Sequence, residues 1–184
     1  MSSQPPDEAS LYEAALTHLS RYAATESGLA RVLARKIDRW ARLQTAEAAD
    51  GEIISAATRN AKASIPRIIT RLQNANFLND AAFATARAKR LTAQGKSRRG
   101  ALAHLAAKGV APSTAAEALA DDPERELAAA CAFLRRRRAG PFGSTPELKI
   151  LAAMARAGFT QTISRQALDM DKEEAEAKIK ALKE

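Results

Sequence analysis

The sequence predicts an all-α protein, and three observations carry that prediction. Apolar residues make up 46 % of the 184-residue chain but aromatics only 4 %, with alanine dominant. Alanine at that density favours closely packed helices over sheet. Apolar positions recur at helical spacing, punctuated by start and stop signals. The punctuation also repeats. Leu105-Ala106-Ala107-Lys108-Gly109-Val110 matches Met154-Ala155-Arg156-Ala157-Gly158-Phe159 position for position, and Ala118-Leu119 and Ala167-Leu168 follow at the same offset. The repeat predicts three tandem three-helix modules forming an elongated array.

Residues 1–10 open with MSSQPPD, polar and Pro-rich, and are expected to be a disordered tail. The first module is placed at 11–78. Leu11, Ala15, Leu19 and Tyr22 have helical spacing, and Thr25 or Ser27 starts a second helix with Leu29, Val32, Leu33, Ile37 and Trp40 as its apolar stripe. Arg31, Arg35, Arg39 and Arg42 are expected on the opposite face. Ile37 stands where the other modules carry glycine, and about 44–63 reads as an insertion, helical through Ile53, Ile54 and Ala57. Ile65-Pro66 then opens a helix with Ile68, Ile69 and Leu72 inward, ending at Asn76 with Phe77 packed back on Leu72.

The central module is placed at 79–121. Asn79 or Asp80 caps its first helix, and Leu78 with Phe83 makes a hydrophobic staple if Asn79 is the cap. Gln94-Gly95-Lys96 ends that helix and Ser97 caps the next, which buries Leu102, Leu105 and Ala106 and stops at Gly109. Pro112 fits the first turn of a third helix with Ala115, Ala116 and Leu119 inward. The third module, 122–170, starts at Asp122-Pro123-Glu124 and buries Leu127, Ala130, Cys131 and Leu134. Arg135, Arg136, Arg137 and Arg138 close that helix, where cations suit the dipole, and Gly140-Pro141 breaks it. Ser144-Thr145-Pro146-Glu147 reads as a capping box for a helix that ends at Gly158, and a short helix with Ile163 and Leu168 follows. The tail, 171–184, is a charged helix with Glu174–Lys178 and Glu176–Lys180 pairs.

The formal charge is +8 and the pI about 10.0. That balance points to nucleic acid, an acidic protein surface or anionic lipid. No apolar run is long enough to span a bilayer and no signal peptide precedes Leu11, so lipid ranks last. The single Cys131 excludes an internal disulfide, fits a reducing cytoplasmic compartment and reads as a small core residue. The central module is the most lopsided. Between Asp80 and Glu117 it has no acid, yet it carries Arg87, Lys89, Arg90, Lys96, Arg98, Arg99 and Lys108. Those seven are the candidate contact residues for an anionic partner. The Arg31–Arg42 row and Arg135 to Arg138 form a secondary basic surface.

In order and spacing these segments resemble the RecX regulatory proteins. Phe77-Leu78-Asn79-Asp80-Ala81-Ala82-Phe83-Ala84, Gly95-Lys96-Ser97-Arg98-Arg99 and Leu105 to Val110 resemble the family's central motif. Ala155-Arg156-Ala157-Gly158-Phe159 resembles the signature of its third module, and Ala14-Ala15-Leu16, Leu19-Ser20-Arg21 and Thr25-Glu26 the opening of its first. The resemblance covers Leu11 to Met170, with Ile37 and the insertion as departures. It implies a bacterial cytoplasmic regulator of the RecA recombinase, and a monomer is expected. Such a protein binds the RecA–DNA filament and inhibits recombinase, ATPase and co-protease activity.

Catalysis has no footing in the residues. His18 and His104 lack metal-ligand spacing with Cys or acids, and Gly95-Lys96-Ser97 lacks the earlier glycine and strand of a phosphate loop. No cofactor or metal is expected. The rival reading is a DNA-binding protein, sequence-nonspecific or of the helix-turn-helix kind. The helix-turn-helix form is weakened because PSTAAEALA has no Arg, Lys, Asn or Gln to read base edges. Gln161, Thr162, Arg165 and Gln166 make a better reader, and weak nonspecific affinity for single- or double-stranded DNA is expected on any reading. A scaffold for acidic proteins is the third class.

Overall fold

A computed structural model of the chain describes residues 4–47 and 50–182, and these hold ten α-helices, one 3-10 turn and no strand. The all-helical reading therefore stands. The chain divides into two compact units, residues 1–83 and 84–184.

The first unit is built on α1 (Glu8–Leu19), α2 (Glu26–Ala46) and α3 (Gly51–Asn74). Its core is Leu11, Ala15, Leu29, Leu33, Ile37, Ile68 and Leu72, all essentially sealed from solvent. Asp7 caps α1 by accepting the Ser10 N–H at 2.9 Å, so Glu8 to Ser10 are helical rather than part of the expected tail. Of that tail, residues 1–3 lie outside the described residues. Tyr22 lies beyond the end of α1 and is exposed. Thr25, not Ser27, caps α2, accepting the Gly28 N–H at 2.9 Å. From α3, Arg67 pairs with Glu8 at 3.0 Å, and the Arg71 guanidinium lies 4.0 Å from the Tyr12 ring centroid.

The expected insertion is a lengthening of two helices. Ile37 falls twelve residues after the cap Thr25, just as Gly109 follows Ser97 and Gly158 follows Pro146. Both glycines are left-handed, with φ 89° and 95°, and end their helices. An isoleucine resists that conformation, so α2 runs on through Ile37 to Ala46. The partner helix α3 starts at Asp50, whose carboxylate accepts the Glu52 N–H, and Lys62 pairs with Asp38 at 2.7 Å. Residues 48 and 49 of the expected insertion lie outside the described residues. Pro66 therefore sits inside α3 and opens nothing. The stop at Asn76 is as expected, with φ 57° and the Phe77 N–H on the Leu72 carbonyl at 2.9 Å. The Phe77 ring, however, is 56 % exposed and does not pack back.

The helix α4 (Asp80–Ala93) begins in the first unit, where Asn79 caps it through the Ala82 N–H at 2.8 Å. Asp80 instead accepts the Glu26 N–H at 2.9 Å, and Glu26 accepts from the Gln73 amide at 2.5 Å. The second unit continues with α5 (Arg98–Lys108), α6 (Pro112–Ala118), α7 (Pro123–Arg137), α8 (Glu147–Ala157), α9 (Gln161–Asp169) and α10 (Lys172–Ala181). A 3-10 turn, Gly140–Phe142, joins α7 to α8. The central helix of the unit is α7, buried continuously from Leu127 to Leu134 because α9 and α10 both pack on it. Cys131 is part of that core, and burial pushes its thiol pKa up to about 11, which leaves it an unreactive core residue.

Three local expectations give way here. Arg138, left-handed at φ 51°, ends α7 ahead of Gly140. The expected capping box does not form, because Pro146 occupies the cap position and Thr145 donates its hydroxyl to the Arg138 carbonyl at 3.3 Å. The tail pairs reach across rather than along the helix: Glu176 takes Arg135 at 3.0 Å, and Lys178 takes Glu124. Gly109, by contrast, is left-handed as expected, with the Val110 N–H on the Leu105 carbonyl at 3.1 Å. A Gly109→Val protein should lose about 1–2 kcal/mol, since a β-branched residue resists positive φ. Urea unfolding checks this, and an unchanged midpoint would refute the role of Gly109 as a cap.

Candidate nucleic-acid interface

Within the second unit the α4–α5 turn, α7 and α8 meet closely, and the cause is Gly95. It ends α4 at φ 69°, and a Cβ there would fall 2.6 Å from the Phe133 backbone nitrogen and 2.9 Å from the Ala129 carbonyl oxygen. Only glycine lets the α4–α5 turn rest on α7. Ser97 adds the second tie. Its fully buried hydroxyl accepts the Gly100 N–H at 3.0 Å as the α5 cap and donates to the Ala157 carbonyl of α8 at 2.5 Å.

This seam encloses a pocket of about 550 Å³ between α4, α5, α7 and α8. Arg87, Lys96, Arg136 and Arg156 supply its charge, His104 and Gln94 add polarity, and no carboxylate lines it. Four cations around a concave seam give it a strongly positive field, the charge that draws anions. Arg136 is held there by a hydrogen bond from its Nη1 to the Gln94 carbonyl. The Arg87 Nε donates to His104 Nε2 at 3.0 Å, which requires a neutral acceptor nitrogen. Desolvation first, then the charges of Arg87, Lys96 and Lys108, hold the His104 pKa below its ordinary value.

The seven central candidates separate by position. Arg87 and Lys96 line the pocket; Lys89, Arg90 and Lys108 are exposed outside it. Arg99 is exposed, with its stem against Gly158. Arg98 is half-buried and structural: its Nε donates to the Leu119 carbonyl at 2.8 Å, and its backbone N–H to Glu126 at 2.8 Å. Burial raises the Glu126 pKa despite that bond. In the secondary set, Arg135 is paired with Glu176, Arg137 lies 5.3 Å over the Phe133 ring and Arg138 is the left-handed cap. Arg136 alone of that run reaches the pocket. Arg156 was not among the sequence candidates; only its place in the repeated segment, two residues before Gly158, could have pointed to it.

The arginine row of the first unit is exposed on the side of α2 away from the buried Leu29, Leu33 and Ile37. Steps of four residues advance the helix face by about 40° each, so Arg39 comes round next to Val32 and Arg35 lies one step behind it. With Arg42 they line one groove, which Arg31 does not reach. Among the described residues no group of three or more His, Cys, Asp or Glu could hold a metal, and no helix is long and apolar enough to cross a membrane.

Fold and site together define an all-helical protein whose built feature is a cationic seam between α4, α5, α7 and α8. Residues 79–119 match the family model described as RecX, second three-helix domain. The chain is 35 % identical over 167 residues to Regulatory protein RecX of Myxococcus xanthus (strain DK1622), covering 86 % of this chain and 84 % of that protein. It is also 36 % identical over 104 residues to Regulatory protein RecX of Agrobacterium fabrum (strain C58), covering 54 % and 55 %. No solved structure matches. The chain belongs to the RecX family of regulatory proteins.

Proposed function

We propose that this protein acts in the bacterial cytoplasm on the RecA recombinase, binding RecA–DNA filaments and inhibiting recombinase, ATPase and co-protease activity. The observation that carries the reading is the carboxylate-free pocket of Arg87, Lys96, Arg136 and Arg156, in a chain of the RecX family. A RecA–DNA filament offers phosphates and protein carboxylates, and guanidinium groups bind either through charge-assisted hydrogen bonds. The protein works by occupancy, as a monomer and without a cofactor. A base-reading role for α6 is disfavoured, because it is only 7 residues long and carries no Arg, Lys, Asn or Gln for base edges.

The test is RecA ATPase on single-stranded DNA, titrated with this protein below the concentration at which it binds the same DNA alone. Inhibition there is expected. No effect at any concentration would end the regulator reading and leave nonspecific DNA binding in its place.

A further inference from the structure

The first unit carries a second built cavity, chemically unlike the seam. A groove of about 670 Å³ lies between the segment Gln4 to Asp7 and the exposed side of α2. Pro6, Val32, Trp40 and Leu43 form an apolar wall, and Arg35, Lys36, Arg39 and Arg42 form a cationic rim. None of those four cations makes an ion pair among the described residues. The one acid on the groove, Asp7, is committed to capping α1. The Trp40 indole Nε1 is buried and has no hydrogen-bond partner among the described residues.

We infer that this groove docks an acidic peptide of a partner protein, one that places an aromatic or large aliphatic side chain against Trp40 between flanking Asp or Glu residues. The apolar wall takes the anchor, and the arginine forks take carboxylates in pairs. A nucleic-acid strand is the poorer fit. Bases stack along an open track of aromatic rings, whereas this groove holds a single aromatic ring in the wall of a finite hollow. The inference stands apart from the seam and from RecA.

The chain has one tryptophan, so its fluorescence reports this groove directly. The probes are a ten-residue Asp/Glu peptide with a central Phe-Leu pair, the same peptide with Ser-Ser in its place, and a ten-nucleotide oligo(dT). The Phe-Leu peptide should change Trp40 emission saturably, and the Ser-Ser peptide should bind about tenfold more weakly or worse. Arg35→Ala with Arg39→Ala, both exposed and checked for folding by circular dichroism, should weaken the Phe-Leu peptide at least about tenfold. No emission change up to millimolar peptide would overturn the inference, as would equal binding of both peptides. So would oligo(dT) altering Trp40 emission at lower concentration than the Phe-Leu peptide, which would make the groove a nucleic-acid site.

Discussion

Replacing Gly95 by Ala should destabilise residues 84–184 by about 2–5 kcal/mol, combining positive-φ strain with overpacking. An added Cβ meets three backbone atoms of α7, the Phe133 nitrogen, the Ala129 oxygen and the Ala132 carbonyl carbon, so no side chain can swing away to relieve it. The turn has to lift off α7. Lifting it also moves Gln94, whose carbonyl holds Arg136, and Lys96, so the cationic seam should open as stability falls. Thermal melting followed by circular dichroism is expected to drop by on the order of 10 °C. Ser97→Ala, which removes one cap and one bond to Ala157, should cost less, about 1–2 kcal/mol. An unchanged melting curve for Gly95→Ala would show that the close approach at the seam does not hold the α4–α5 turn on α7.

The features that were legible in the sequence are those with a local cause. The caps at Thr25, Asn79, Ser97 and Asp122 and the left-handed stops at Asn76, Gly109 and Gly158 each depend on a few neighbouring residues. Pro66 misled for the same reason. Proline fits a first turn, but the start signal in use was Asp50, and tertiary packing carried the helix through. The seam was only half legible. Arg87 and Lys96 stood out as part of an acid-free stretch, but Arg136 and Arg156 join them only because Gly95 allows the turn to touch α7. Arg98 looked equivalent to Arg99 in sequence, and only the fold reveals that it is tied to Leu119. The groove around Trp40 depends on Pro6 lying against α2, and a Pro-rich stretch gives no sign of where it will lie.

Lys96→Ala with Arg156→Ala should weaken single-stranded DNA and RecA-filament binding together while leaving the fold intact, since both side chains are exposed and in no ion pair among the described residues. The slope of log affinity against log salt should flatten by about 0.7 for each phosphate that the variant leaves unneutralised. Arg98→Ala should show the converse, a lower melting temperature with a nearly unchanged salt slope, because its guanidinium serves the Leu119 carbonyl. Proton linkage gives an independent reading of the same pocket. In the free protein His104 is held below its ordinary pKa by desolvation and by Arg87, Lys96 and Lys108. A bound phosphate offsets those charges and moves the His104 pKa back up, so the complex holds more protons than its parts, and binding should strengthen as pH falls through about 6.5 and below. His104→Gln should remove that dependence and keep the salt slope. If Lys96→Ala with Arg156→Ala retains the wild-type salt slope, and wild-type binding is flat across this pH range, the anion does not sit at the seam. The contact surface would then have to be sought among the exposed cations Lys89, Arg90 and Arg99.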